Sequence, residues 1–157
     1  MTGARSRAAA FGRRLEQLAQ MSREAGIDPV FVTQPALYGE GTDPRTGADL
    51  AGLSVGGVDG RTAWRRLEIY NDQIRAVARE RRHLLVDLAR RFPKDSQFFY
   101  DDIHFNAADF RVVADIVGDA LCAYLEGRQS AFRVSRCPQT SAGSAALTPG
   151  GVRGPRS

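Results

Sequence analysis

Lysine is almost missing from this chain: Lys94 stands alone against 21 arginines. That imbalance reads as a compositional bias of the coding sequence rather than a binding device. Cysteine is equally scarce. Cys122 and Cys137 are at no metal-ligand or redox spacing, and two cysteines do not make a disulfide framework. Cys122 falls in a helical apolar pattern and is expected to be a small buried hydrophobe; Cys137 is expected to be free. No apolar run approaches the ~20 residues that span a bilayer, so no membrane span is expected. Met1 to Ala10 carries Arg5 and Arg7 but no apolar core of signal-peptide length, so the chain as written is expected to be cytoplasmic.

Acid is absent from the last 30 residues, 128–157, which hold five arginines. The 157 residues carry a net charge of +4, yet residues 1–127 contain 17 basic and 18 acidic side chains. The basic excess therefore belongs to the tail. No basic-aromatic surface is interleaved through the body, and no nucleic-acid partner is expected; a basic nucleic-acid module would rest on the tail alone. A hydrophobic content of 43% with 25% charged residues suits one globular domain of ordinary size. That domain is expected over 1–127, with 128–157, rich in Ser, Gly, Pro and Arg, as a disordered tail.

Periodicity orders the body. Phe11, Leu15, Leu18 and Ala25 recur at helical spacing and predict a helix over 6–25, closed by Gly26. Pro29 to Thr33 is a short apolar run, expected as a parallel strand covered on both faces, and Pro35 ends it. Residues 36–61 hold seven glycines and no period, which predicts a long surface loop. Trp64, Leu67, Tyr70, Ile74, Val77 and Ala78 form one stripe of a second helix, from Thr62 to about Arg82. Leu84 to Leu88 is a second strand, followed by one helical turn before Phe92-Pro93. A last helix over 107–126 carries Phe110, Val113, Ile116, Val117, Leu121, Tyr124 and Leu125 and ends at Gly127.

Helix, strand, loop, helix, strand, turn, helix is the alternation of an α/β fold with a parallel sheet. Two strands cannot bury three amphipathic helices, and a parallel sheet of two is not stable alone. The expected fold class is therefore a partial three-layer α/β/α arrangement with a short parallel sheet and its N-terminal strands missing.

The chemistry-bearing stretch is Phe98-Phe99-Tyr100-Asp101-Asp102-Ile103-His104-Phe105-Asn106. Asn106 is expected to cap the last helix, with Asp109 at its third position. Asp101, three residues before His104 along a tight turn, can reach Nδ1 and leave Nε2 as a general base. The same spacing would also suit a capping or surface histidine. Asp102 is expected to serve local capping or solvation, and His83, with no carboxylate at that spacing, to be a surface residue.

In order along the chain, Phe31-Val32-Thr33-Gln34-Pro35-Ala36-Leu37-Tyr38, Tyr70-Asn71, Val86-Asp87-Leu88-Ala89 and Phe99-Tyr100-Asp101-Asp102-Ile103-His104-Phe105-Asn106 resemble the C-terminal half of SGNH (GDSL-type) serine hydrolases. The resemblance spans about Ala10 to Leu125. It implies a flavodoxin-like fold, His104 as catalytic base and Asp101 as its orienting acid. It also implies an ester or acylated small-molecule or carbohydrate substrate, and no metal or organic cofactor. Asp109 departs from the family, where glycine is frequent. Gln34, at a strand end, is expected either to line the substrate pocket or to serve as a turn residue. The 36–61 loop is expected to shape the acyl or alcohol pocket.

The family's Gly-Asp-Ser nucleophile block and its oxyanion-hole blocks are not in this sequence. None of nine serines follows Gly-Asp after a strand; Ser54 and Ser96 lie in loops, and Asn71 reads as structural. Without an oxyanion donor, ~10²–10³ in rate is lost. Two expectations follow: the chain is one part of an ester hydrolase and inactive alone, or it is a non-catalytic relative that associates with another chain. In either case a chain carrying the missing N-terminal half is a candidate partner.

Overall fold

The computed structural model describes residues 2–107 and 110–128. Helix α1 (Thr2–Glu24) leads into β1 (Val30–Val32). A hairpin of β2 (Ser54–Val55) and β3 (Val58–Asp59) precedes α2 (Gly60–Arg81). Then come β4 (Leu84–Val86), the single turn α3 (Leu88–Arg91), a 3-10 turn at Ser96–Phe98 and α4 (Phe110–Arg128). The result is a mixed helix and strand fold whose sheets are both two-stranded. Of the predicted tail, 128–157, Arg128 is the last residue of α4 and the rest lies outside the described residues, as do residues 108 and 109, which the predicted capping by Asn106 and Asp109 involves.

β1 and β4 run parallel, with Val30 opposite Leu84 and Val32 opposite Val86. Alternate side chains of a strand point to opposite faces, and the two cores follow that rule. Phe31 and Leu85 pack with Leu15 and Ala19 of α1 and Ile74, Val77 and Ala78 of α2. Val86 points the other way, into a core with Leu88, Phe92, Phe99 and Ile116 of α4. Helices thus cover the strand pair from both sides.

Coverage is uneven, which corrects the expectation for β1. Val30 and Val32 remain 40% and 41% exposed, because α4 packs against β4 and leaves β1 open on that side. Among the described residues β1 pairs with β4 alone, so its other edge carries no neighbour.

The first helix also differs from its predicted stripe. Ala8 and Ala19 are buried while Leu18 is 58% exposed. Close packing against α2 favours small side chains at the contact, and Phe11 meets Tyr70 edge-on at 5.5 Å. Gly127, expected to end α4, lies within it. Cys122, expected as a small buried hydrophobe, is half-buried, and Cys137, expected to be free, lies outside the described residues.

The segment read as an irregular loop is ordered. Val55 and Val58 pair across Gly56-Gly57, whose φ values of 55° and 79° suit a two-residue hairpin turn with both central residues left-handed. Leu50 and Tyr38 are buried, and Thr42 bridges Asp49. Asp59 ends β3 and caps α2, accepting from the Thr62 N–H at 2.9 Å and its hydroxyl at 2.8 Å. The helix therefore starts at Gly60, two residues earlier than predicted.

An ionic network fixes the strand ends. Arg75 is nearly buried and grips Asp87 with two bonds of 2.9 Å, while also reaching Glu68 at 2.9 Å and Asp72 at 2.8 Å. Asp87 in turn accepts the Thr33 hydroxyl at 2.8 Å, and Thr33 Oγ1 accepts from Ala89 N–H at 2.9 Å. Burial works against the Asp87 anion, but the bonds from Arg75 and Thr33 outweigh it and lower its pKa.

Candidate functional site

The Asp-x-x-His stretch forms the tip of a small closed turn. Phe99 and Phe105 bridge antiparallel at its base, Tyr100 N–H donates to the His104 carbonyl at 2.7 Å, and Asn106 N–H donates to Phe98 O at 3.1 Å. Aromatic packing holds that base. Phe92 contacts Phe99 and Phe105 with ring centroids 5.4 and 4.7 Å apart, and each such pair contributes about 0.5–1.5 kcal/mol beyond its buried area. The Asn106 side chain donates to Gln97 O at 2.8 Å and ties the turn's exit to the 3-10 segment.

Asp101 does two jobs inside the turn. Its Oδ1 accepts backbone N–H bonds from Ile103 at 2.9 Å and His104 at 2.7 Å. Its Oδ2 lies 2.7 Å from His104 Nδ1. The Ile103 N–H, the imidazole and the His104 N–H, in that order, draw the carboxyl pKa down to about 2. An ionised carboxylate can only accept, so Nδ1 carries the proton and Nε2 presents its lone pair outward. The His104 side chain is 70% exposed, and among the described residues Nε2 has no hydrogen-bond partner. This is an oriented base facing open space.

Asp102 does not share in it. Its carbonyl accepts the Leu37 N–H at 2.9 Å, joining the turn to the loop that leaves the carboxyl end of β1. Gln34 sits in that loop and is exposed. Its side chain folds back, donating to the Pro35 carbonyl at 3.0 Å. Its backbone is clamped by buried Asn71, which accepts from Gln34 N–H at 2.9 Å and donates to Gln34 O at 3.0 Å. Asn71 gives its other proton to Glu68 at 2.7 Å, so it is committed to the scaffold.

The serines considered as substitutes lie elsewhere. Ser54 is on β2, and the Ser96 N–H donates at 3.0 Å to Asp43, a buried carboxylate that pins the 41–50 segment to the 3-10 turn. Neither hydrogen-bonds His104. Despite its burial Asp43 is held far below the usual carboxylate range, by bonds from Ser96, Thr46 and Arg45.

Two features escaped sequence reasoning. Lys94 lies 3.7 Å over the Trp64 ring and donates to Tyr38 O at 2.7 Å; desolvation lowers its pKa. Glycine is required at 39, because its φ of 119° is one that other residues rarely adopt and a Cβ there would sit 2.8 Å from Trp64 Cγ. His83, expected at the surface, is half-buried beside Phe31, and its Nε2 is buried without a partner. Burial first, then the nearby Arg23 cation, lowers its pKa.

Among the described residues no group of three or more His, Cys, Asp or Glu is placed to hold a metal ion. No helix among them is long and apolar enough to cross a membrane. No family model, curated protein or solved structure matches the chain. What the fold and site define is a helix-and-strand domain presenting a carboxylate-oriented imidazole on a closed turn.

Proposed function

We propose that this chain is the C-terminal part of an SGNH (GDSL-type) ester hydrolase, a flavodoxin-like three-layer fold whose N-terminal strands lie outside the chain. The carrying observation is the 2.7 Å pairing of His104 Nδ1 with Asp101, in a turn bonded through Leu37 to the loop leaving the carboxyl end of β1. α/β folds bind ligands at the carboxyl ends of their strands. In the complete domain, His104 Nε2 takes the proton of a serine hydroxyl as its oxygen attacks the ester carbonyl. The same proton then passes to the departing alkoxide, leaving an acyl-serine, and Asp101 stabilises the imidazolium between those steps. Water, deprotonated by His104, attacks the acyl-serine and frees acid and enzyme. The substrate class is an ester or an acylated small molecule or carbohydrate; the chemistry needs neither metal nor organic cofactor.

A second reading is a non-catalytic relative that associates with another chain. The open edge of β1, with Val30 and Val32 exposed, favours it. Unpaired strand edges are templates for pairing.

Fluorophosphonate labelling separates these. The chain alone is expected to stay unlabelled, since labelling needs an activated serine. A coding sequence extended upstream to an in-frame Gly-Asp-Ser block is expected to yield a labelled protein, with His104→Ala removing the label. Labelling of the chain alone, or a His104→Ala variant of the extended protein that labels at the normal rate, overturns the first reading. An extended protein carrying that block but never labelling favours the second.

A further inference from the structure

Away from the Asp101–His104 turn, α1 and α2 diverge to leave a cleft of about 680 Å³. Arg7 of α1 and Arg65 and Arg66 of α2 line it, with Tyr70 among its walls. Among the described residues none of these three guanidinium groups is in an ion pair, and the Tyr70 hydroxyl has no hydrogen-bond partner. At the start of α2 the Asp59 carboxylate accepts from Thr62 and offsets the helix field, so the positive charge of the cleft comes from its three guanidinium groups. All three side chains are exposed, so an anion entering the cleft meets guanidinium donors from both helices.

A second, shallower depression of about 350 Å³ lies beside the first and shares Arg66 and Tyr70 with it. Its other walls are apolar: Tyr38, Val55, Val58 and Leu67. The hairpin supplies the two valines, which also pack against Ala36, Tyr38 and Ala63. A cationic mouth beside an apolar trough matches one ligand chemistry. Guanidinium groups bind phosphate and carboxylate by paired charge-assisted hydrogen bonds, and apolar walls take a hydrocarbon body.

We propose that this double cleft binds an amphiphilic anion, with its phosphate or carboxylate head between Arg7, Arg65 and Arg66 and its apolar part against Val55, Val58 and Leu67. The assignment stands on the cleft alone and is independent of ester hydrolysis at His104.

Calorimetric titration of the full chain tests it, with decyl phosphate below its micelle concentration, inorganic phosphate, and decyl maltoside as a neutral tail of equal length. Decyl phosphate is expected to bind one to one and at least about tenfold more tightly than either of the others, since head and tail both contribute. The double variant Arg65→Gln/Arg66→Gln is expected to weaken it at least about tenfold. Arg13→Gln/Arg14→Gln, an equal change of charge on an exposed stretch of α1, is expected to leave it within about twofold. Val58→Gln, a neutral polar change, is expected to weaken decyl phosphate while sparing inorganic phosphate, and serves if the double arginine variant loses its helical circular dichroism. Equal losses in both arginine pairs, no loss in either, or decyl phosphate no tighter than inorganic phosphate overturns the proposal. Adsorption to phosphatidic acid vesicles without binding of the soluble monomer overturns it too, as that marks a basic surface rather than a cleft.

Discussion

The Asp102 carbonyl accepts the Leu37 N–H at 2.9 Å, so the turn that presents His104 is fastened to the chain emerging from β1. The scaffold beneath that chain is itself clamped, through Asn71 on Gln34 and Arg75 on Asp87. The exposed imidazole is therefore oriented by bonds within its own turn, and the turn is tied to a scaffold held by part-buried polar bonds. That rigidity permits a direct spectroscopic test.

In long-range ¹⁵N–¹H spectra the His104 ring is expected as the Nδ1–H tautomer when neutral. Asp101→Asn replaces the obligate acceptor with a group that can also donate, and is expected to shift the ring toward Nε2–H. In the proposed full-length hydrolase the same change is expected to lower kcat by about 10²–10⁴. The Asp101 carboxyl carbon is expected to titrate near pH 2. Because folding lowers this pKa, its stabilising contribution is present above the ordinary aspartate value of ~4 and is lost as pH falls toward 2. A titration midpoint near 4 would show that the turn's bonds do not persist in solution.

His83 gives a pH dependence from burial. Its folded pKa lies below the ordinary histidine value, so the unfolded chain binds the proton more readily. Stability from this residue is expected to be present above about pH 6.5 and to decline as the solution is acidified below it. His83→Phe keeps a ring against Phe31 and removes the titration. Urea midpoints at pH 5 and pH 8 are expected to converge in the variant relative to wild type; an unchanged gap assigns the acid sensitivity to other groups.

Two glycines separate necessity from tolerance. A Cβ at Gly60 would collide with the Leu50 carbonyl oxygen, whereas one at Gly118 meets nothing within 4 Å. Gly60→Ala is expected to destabilise by about 1–3 kcal/mol, as overpacking against backbone does. Gly118→Ala, inside α4, is expected to stabilise by about 0.5–1 kcal/mol through helix propensity. Denaturant unfolding of both variants checks the pair, with m-values required to match wild type.

The helices and the two parallel strands were legible because their signals are local: apolar periods for α1, α2 and α4, and short β-branched runs for β1 and β4. Asp101 and His104 were legible for the same reason, being three residues apart in one turn. Gly56-Gly57 between valines was a usable hairpin signal, but it was submerged in a glycine-rich stretch. What could not be read was decided by partners distant in sequence. Asp87 meets Thr33 across 54 positions and Lys94 meets the Tyr38 carbonyl across 56. Leu18 fits the helical period of α1 yet lies outside the contact, because the neighbouring helix selects alanines there. His83 looked superficial since nothing in its own segment shows that Phe31 will cover it.

The closure of residues 99–105 upon themselves makes the direction of the imidazole a local property of the chain. The bonds that set the imidazole's direction lie within Tyr100 to His104, while Phe92 and the Leu37 N–H hold the turn itself. A hydroxyl brought to the open side of the ring meets a proton acceptor already aimed.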